Sequence, residues 1–349
     1  MAMHAFTLCD KNYTARCLLM LDSLARVSRV NPKVTVLALD EEAWRVFQGR
    51  ADQVLRIDDL GDAELLAVRA SRSIGEFCWT CAPALSDFML RRTAEGDFVA
   101  YLDADMYFFS DPAPLFAEMG PDKNILVQPH RFPPARLGWE ATTGKFNVGL
   151  VGFRVSDEAR ACTARWRRQV LELCVKDPER GLCGDQTYLD EWPARYPGLQ
   201  VMQDIGAGVA PWNVDSYRVA GTPGAPTVDG KPVIFYHYHQ FRIVDCEAHS
   251  FLGVVYATGY DFPAEVRRLI YRDYVRTLKR QRLRLEQAGV VFKHEIVCDA
   301  TSFHRGVRAG RIFPVFETVF ARASFFLAFL TYVRERIAVK YLGGRRKAT

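Results

Sequence analysis

Asp103 and Asp105 are separated by a single alanine and close an apolar run, Phe98-Val99-Ala100-Tyr101-Leu102. Such a run reads as a buried strand, and its last residues deliver two carboxylates to whatever lies beyond the sheet edge. In open α/β sheets, ligands bind just past the carboxyl ends of strands. Two acidic oxygens in that place suit a hard divalent cation, and such a cation is a common means of gripping a diphosphate. Acid-x-acid also closes many solvated turns. The strand before it, Phe108-Phe109-Ser110-Asp111-Pro112 after it and three later segments favour the chemical reading.

The first of these is Phe235-Tyr236-His237-Tyr238-His239-Gln240. A strand carrying histidines at i and i+2 presents both on one face, so His237 or His239 can supply a third ligand. Imidazole added to two carboxylates suits Mn²⁺ as well as Mg²⁺ and disfavours an all-oxygen calcium site. Spacing leaves open which histidine binds. Gly184-Asp185-Gln186 precedes an apolar, aromatic segment expected to be helical over Thr187–Trp192. Asp185 there is either a helix N-cap or, with Gln186, a pair that holds sugar hydroxyls or stabilises positive charge at an anomeric carbon. Those two are the catalytic candidates. In Gly144-Lys145-Phe146-Asn147-Val148-Gly149, Asn147 can meet a sugar hydroxyl and Lys145 a phosphate, against the plainer reading of a loop-to-strand junction.

The elements that must position these groups alternate. Ala5–Cys9 reads as a strand and is followed by the polar turn Asp10-Lys11-Asn12. A helix then carries Leu18, Leu21 and Leu24 on one face. Val34–Leu39 is a continuous apolar run ending at Asp40, the pattern of a central parallel strand. Glu41–Gln48 reads as a helix, Gln53–Ile57 as a short strand, and Ala82–Arg92 as a helix with Pro83 in its first turn. Strands at 125–127 and 148–153, a helix over 157–176 and a mostly loop segment over 208–232 follow. The alternation predicts an α/β fold with a mostly parallel central sheet and crossover helices. The first βα turn, Thr7–Tyr13, lacks the spaced glycines of a dinucleotide fingerprint, which disfavours an NAD enzyme. Asp10 and Asn12 either hydrogen-bond a base or ribose or form an Asx turn.

Composition bounds the rest. In 349 residues, 49% are hydrophobic and 12% aromatic, enough for a substantial core. From Phe262 to Thr349, 19 Lys and Arg face 7 Asp and Glu, a balance of +12 that leaves −7 for residues 1–261. An acidic body with a basic end fits a metal-using domain, 1–261, with a helical basic extension, 262–349, that meets an anionic surface. No nucleic-acid reading motif accompanies the basic residues, so nucleic acid is not the expected partner. Nine scattered cysteines read as a reducing compartment. Cys78-Trp79-Thr80-Cys81 has redox or zinc spacing, but no second pair completes a zinc site, and a packed helix start is the expected role. Met1-Ala2-Met3-His4 runs directly into strand-like sequence, with no secretory segment, so a cytoplasmic location is expected. In the tail, Phe313, Phe316, Phe320, Ala323, Leu327 and Leu330 recur at helical spacing among arginines. The uncharged stretch Ala323–Val333 spans 11 residues, short of the roughly 20 needed to cross a bilayer. The tail is expected either to dock on the body or to lie peripherally on the inner membrane face.

Taken in order, these segments resemble the GT-A nucleotide-diphospho-sugar transferases, and most closely glycosyltransferase family 8, the type of glycogenin and the bacterial lipopolysaccharide galactosyltransferases. Tyr101-Leu102-Asp103-Ala104-Asp105 resembles that family's DxD strand, Phe146-Asn147-Val148-Gly149 its F-N-S-G stretch, and Gly184-Asp185-Gln186 its D-Q element. Phe235–Gln240 is similar to its H-F-x-G strand, with His237 as the metal-ligand match, and Asp10-Lys11-Asn12-Tyr13 to the D-x-N-Y turn that holds uridine. Glu76-Phe77-Cys78-Trp79-Thr80 and Asp190-Glu191-Trp192-Pro193 resemble a bacterial branch known as nucleotide-sugar transferases. The likeness spans roughly residues 5–245. It implies a UDP-sugar or other nucleotide-sugar donor, a glycan or lipid-linked acceptor, a part in cell-surface polysaccharide synthesis, and retention of anomeric configuration. It also implies donor contacts from Asp10, Asn12, Tyr13, Asp103, Ala104, Lys145 and Asn147. The family's arginine before the DxD strand has no match in Cys81–Phe88, and its phosphate role transfers to Arg72. Gln240 stands where the motif ends in glycine, and no K-P-W follows. Two rival readings are a metal-dependent nucleotidyltransferase or sugar-nucleotide pyrophosphorylase, which calls for a Gly-rich basic loop after strand one, and a non-catalytic nucleotide-sugar binding module, which would lack a ligand.

Overall fold

The apolar runs of the sequence become the strands of one seven-stranded sheet. A computed structural model describes residues 3–246, 251–256, 260, 262–292, 296–297, 300–308 and 312–315. The strands are β1 (Met3–Cys9), β2 (Lys33–Ala38), β3 (Gln53–Arg56), β4 (Phe98–Leu102), β6 (Ile125–Pro129), β7 (Phe146–Arg154) and β8 (Leu199–Val201). A short strand, β5 (Met106–Phe108), lies outside this sheet. Their order is β8-β6-β7-β4-β1-β2-β3. All pairings are parallel except those of β7, which runs antiparallel to both neighbours. The expected α/β class with a mostly parallel sheet is therefore present.

The order of the strands locates the crevice. From β1 the chain moves outward through β2 and β3, then returns to the other side of β1 as β4. Two adjacent parallel strands whose connections leave in opposite directions open a gap at their carboxyl ends, where a ligand fits. Asp10 follows β1 and Asp103 follows β4, so both reach that gap.

Both faces of the sheet are covered, which explains why a central strand such as β4, Phe98–Leu102, is apolar throughout rather than alternating. On one face, α1 (Thr14–Val27) packs Leu18, Leu21 and Leu24 with Phe108, Phe235 and Tyr271. A basic helix, Arg272–Gln287, adds Tyr274, Val275 and Leu278 to the same cluster. On the other face, Ile74–Arg92 and Asp157–Glu172 bury Leu85, Phe88, Trp166 and Val170 against Phe6, Tyr101 and Phe153. Each such large side chain contributes roughly 2–3 kcal/mol on leaving water. The strand ends are consequently held by a stiff core.

Several expectations are corrected. The helix expected to start at Ala82 starts at Ile74. Ser73 accepts from the Glu76 amide, and Glu76 accepts from the Ser73 amide in return, a capping box that sets the start eight residues earlier. Pro83 thus lies inside the helix and leaves the Trp79 carbonyl without its usual donor. Within the segment 208–232, expected to be mostly loop, Val219–Thr222, Ala225–Val228 and Lys231–Pro232 form a small antiparallel sheet. Its first hairpin turns at Pro223-Gly224, where Gly224 takes a positive φ of 85°, so these residues punctuate strands instead of abolishing them. Gln186–Glu191 winds as a 3₁₀ turn rather than an α-helix, and the Asp185 side chain makes no cap bond there. Phe313 belongs to a strand, Ile312–Val315, pairing with Val254, and not to a helix. The remaining tail positions from Phe316 onward lie outside the described residues. Among the described residues, no helix is long and apolar enough to cross a membrane.

Candidate metal centre and cleft

The turn after β4 is drawn tight from both sides. The Asp103 amide donates to the Gly149 carbonyl of β7 at 2.9 Å, and the Met106 amide donates back to the Asp103 carbonyl at 3.3 Å. The chain then enters β5, which pairs antiparallel with β9 (Phe235–His237). His237 stands opposite Met106 in that ladder, and the Tyr238 amide donates to the Asp105 carbonyl at 2.9 Å. Backbone pairing alone thus brings the imidazole to the carboxylates. One ligand atom each from Asp103, Asp105 and His237 lie within 4.8 Å of one another.

A hydrogen-bonded chain sets the tautomer of His237. At one end the Gly149 amide donates to Asn147 Oδ1 at 2.9 Å, and at the other Gln186 Nε2 donates to the Thr143 carbonyl at 2.7 Å. Between them Asn147 Nδ2 donates to Gln186 Oε1 at 3.1 Å. Both ends are backbone groups with only one possible role, so neither amide can be turned over. His237 Nδ1, 3.1 Å from Asn147 Oδ1, must therefore donate. Its Nε2 points at Asp105 Oδ1 (3.0 Å) and Asp103 Oδ2 (3.6 Å). A neutral imidazole held this way directs its lone pair between two carboxylates, the donor set and outer support of a divalent-metal ligand. Tyr101 adds a second brace, its hydroxyl donating to Asp103 Oδ1 at 2.8 Å.

The charges in this cluster are mutually tuned. Burial pushes the His237 pKa down, but the Asp105 charge and hydrogen bond and the Asp103 charge raise it above the ordinary value. Burial likewise opposes ionisation of Asp105, yet His237 carries that carboxyl down to about 2. Asp103 is raised, by burial first and then by the charge of Asp105. Without a metal, these charges favour the imidazolium form of His237, bonded to Asp105. The raised histidine contributes stability that is whole below pH 6.5 and lost as pH climbs through the folded value. The depressed aspartate contributes stability present above its unfolded pKa and lost as pH falls toward about 2. A metal ligand at Nε2 must displace the proton, so Mn²⁺ affinity is expected to rise with pH until His237 is neutral. Thermal melts with and without Mn²⁺ at pH 6 and pH 8 check this. Equal stabilisation at both values would speak against His237 as a ligand.

Beside the cluster runs a cleft of about 280 Å³ whose walls include Trp79, Phe132, Trp139, Trp212 and Tyr260. Asp185, Gln186 and Asn147 also line it. Trp212 packs edge-on against both His237 and His239, each at 5.5 Å between ring centroids. His239 faces this cleft and is not part of the three-residue ligand cluster. Burial and the neighbouring His237 press its pKa down to about 4, so it is neutral. Asp185 is buried, and burial together with the Asp103 charge raises its pKa well above the usual range. Trp79 lies flat against Gly184: a Cβ there would come within 2.8 Å of the indole, which ties the Cys78-Trp79-Thr80-Cys81 helix to the Asp185 segment. Cys78 and Cys81 are free thiols whose pKa burial raises, the reverse of a redox or zinc thiolate.

The other expected residues divide. Asp10 accepts from the Tyr13 amide at 3.2 Å and from Asn12 Nδ2 at 2.8 Å, so it forms the anticipated Asx-type turn at the crevice. Tyr13 is 37% exposed there. Ala104 is buried between the carboxylates. Arg72 bonds Thr80 and the Leu171 carbonyl, tying two helices together, and is not joined to the carboxylate cluster. Lys145 is exposed and lines a separate depression with Gly144 and Asp190. Sequence reasoning passed over Tyr101 and Trp212. Tyr101 was findable, two residues before Asp103 and on the same strand face. Trp212 reaches the site only through folding.

No family model matches the chain. It is similar to the uncharacterized protein YfnD of Bacillus subtilis (strain 168), 32% identical over 250 residues, covering 70% of this chain and 79% of that protein. Among solved structures it is similar to the galactosyltransferase LgtC in complex with donor and acceptor sugar analogs, at a TM-score of 0.46 and 16% identity over 68% of this chain and 87% of that one. It is also similar to mouse xyloside xylosyltransferase 1 in its apo form, at a TM-score of 0.44 and 15% identity over 68% and 98%.

Proposed function

The chain belongs to the family of the Bacillus subtilis protein YfnD, and we propose that it is a metal-dependent glycosyltransferase of the GT-A type. On this reading it moves a sugar from a nucleotide-diphosphate donor, UDP-linked in the first instance, to a glycan or lipid-linked acceptor with retention. One observation carries the proposal: Asp103, Asp105 and His237 converge at the carboxyl end of β4, with His237 oriented by Asn147. Two carboxylates and a neutral imidazole suit Mn²⁺ or Mg²⁺. A divalent ion bound there would supply Lewis acidity toward the diphosphate leaving group.

The chain's own residues then have separable tasks. Asp10, Asn12 and Tyr13 form the turn that receives the nucleoside at the end of β1. Gln186 uses both ends of its amide to brace Asn147, and so acts as a positioning residue for His237. Burial, and then the charge of Asp103, raise the Asp185 pKa. Neutralising that charge favours the Asp185 carboxylate, which can then face the positive charge that develops at the anomeric carbon. In same-face transfer the bond from that carbon to the diphosphate oxygen breaks, the acceptor oxygen bonds the carbon, and the acceptor proton passes to the departing phosphate. The aromatic walls of the cleft support a carbohydrate acceptor, because pyranose rings stack their apolar faces on aromatic surfaces.

Incubating the protein with a panel of nucleotide sugars and Mn²⁺ should release the matching nucleoside diphosphate from one of them. Release that is unchanged in EDTA-washed protein, or absent with every donor, would sink the reading. The catalytic body is taken as 1–261. The basic segment 262–349 is proposed to contact the inner face of the membrane. Full-length protein that fails to sediment with anionic liposomes would refute that contact.

A further inference from the structure

A diphosphate leaving group carries more negative charge than this cluster can balance. Asp103 and Asp105 cancel a divalent ion, so the negative charge on the departing phosphates needs another cation. The lysines and arginines singled out in the sequence do not supply one: Lys11 pairs with Glu42 at 3.1 Å, Arg72 holds two helices together, and Lys145 lines a different depression. Arg242, which follows Phe241, is exposed, while Phe241 faces inward.

Arg16 fits that need. It sits in the first turn of α1, directly after the Asp10–Tyr13 turn. Its guanidinium lies 5.2 Å from the Tyr13 ring centroid and 4.6 Å from that of Phe241, and Nη2 donates to the Phe241 carbonyl at 2.9 Å. Two rings and one carbonyl fix the fork, yet among the described residues no carboxylate pairs with it. Its remaining N–H groups bond no other described residue. It is half-buried and close enough to Asp105 to help depress that carboxyl. An oriented guanidinium with spare parallel donors matches a phosphoryl group better than a lysine does.

We propose that Arg16 binds the diphosphate of the donor, reaching it from the first helix between the nucleoside turn and the metal ligands. This rests on the glycosyltransferase reading and adds a residue to its donor site. The test is calorimetric. UDP, GDP, ADP and CDP are titrated with Mn²⁺ into the full chain, followed by the monophosphate matching the tightest of them. The same pair is then titrated into Arg16→Gln and Arg16→Lys. Arg16→Gln is expected to weaken the diphosphate about ten- to a hundredfold, the worth of one or two charge-assisted hydrogen bonds, and the monophosphate less than about threefold. Arg16→Lys, which keeps the charge and loses the fork, should fall between. Equal loss for both ligands, or no loss, would overturn the proposal and leave Arg16 as a brace for Phe241. If the unaltered chain binds none of the four diphosphates, the donor reading itself fails first.

Discussion

Asp103→Asn is expected to lower metal-dependent turnover by on the order of 10²–10⁴ while leaving the fold intact. The substitution is nearly isosteric. Asn keeps an oxygen for the Tyr101 hydroxyl, and the Asp103 backbone remains bonded to Gly149 and Met106. What disappears is a charge that burial and Asp105 already make unfavourable, so the metal-free protein should melt at the same temperature or slightly higher. The loss falls instead on Mn²⁺ binding and on charge balance when the sugar bond breaks. Nucleotide release against Mn²⁺ concentration, read beside a thermal melt, separates the two. Full activity in this variant would remove Asp103 from the site.

The second large effect is expected at Gly149. A Cβ built there would lie 2.6 Å from Asn147 Oδ1, 2.7 Å from His237 Nδ1 and 2.9 Å from His237 Cε1. None of these atoms can readily retreat. Asn147 is held by the Gly149 amide and by Gln186, and His237 is 1% exposed with Trp212 packed against its ring. Gly149→Ala must therefore push the imidazole away from the carboxylates or distort β7, which already carries the Asp103 turn. We expect a stability cost of about 1–3 kcal/mol and a loss of Mn²⁺ affinity of about tenfold or more, the size expected when a group orienting a metal ligand is lost. Gly152 is the control on the same strand. Its Cβ would meet Phe116 and Leu126 at 3.1 and 3.3 Å, away from the ligands. Gly152→Ala should cost stability without changing metal affinity. Parallel losses of metal affinity in both variants would mean that strand disruption, not crowding of His237, is responsible.

These two positions mark how far local sequence could be read. The apolar run closing in Asp103 and Asp105 was legible because a buried parallel strand needs unbroken hydrophobicity, and its carboxyl end is where polar groups can emerge. The Asp10 turn was equally local, since an aspartate bonds the amide three residues on without help from the rest of the chain. Gly149 reads in the sequence only as part of a strand and of a resemblance. The reason it must lack a side chain is an imidazole ninety residues away along the chain from the asparagine that orients it.

The sequence by itself determined the α/β alternation, the acid-tipped strand and the polar turns at the crevice, all features that depend on neighbours within a few residues. Only tertiary structure groups His237, rather than His239, with the two carboxylates, because the pairing of β9 with β5 brings that imidazole to them. It also tied Arg72 to Thr80 and the Leu171 carbonyl, set Lys145 beside Asp190, seated Arg16 against Phe241 and bonded Gln186 to Asn147. Each of Arg72, Arg16 and Gln186 has a partner 39 to 225 residues distant along the chain, and no pattern of period two or 3.6 encodes that distance.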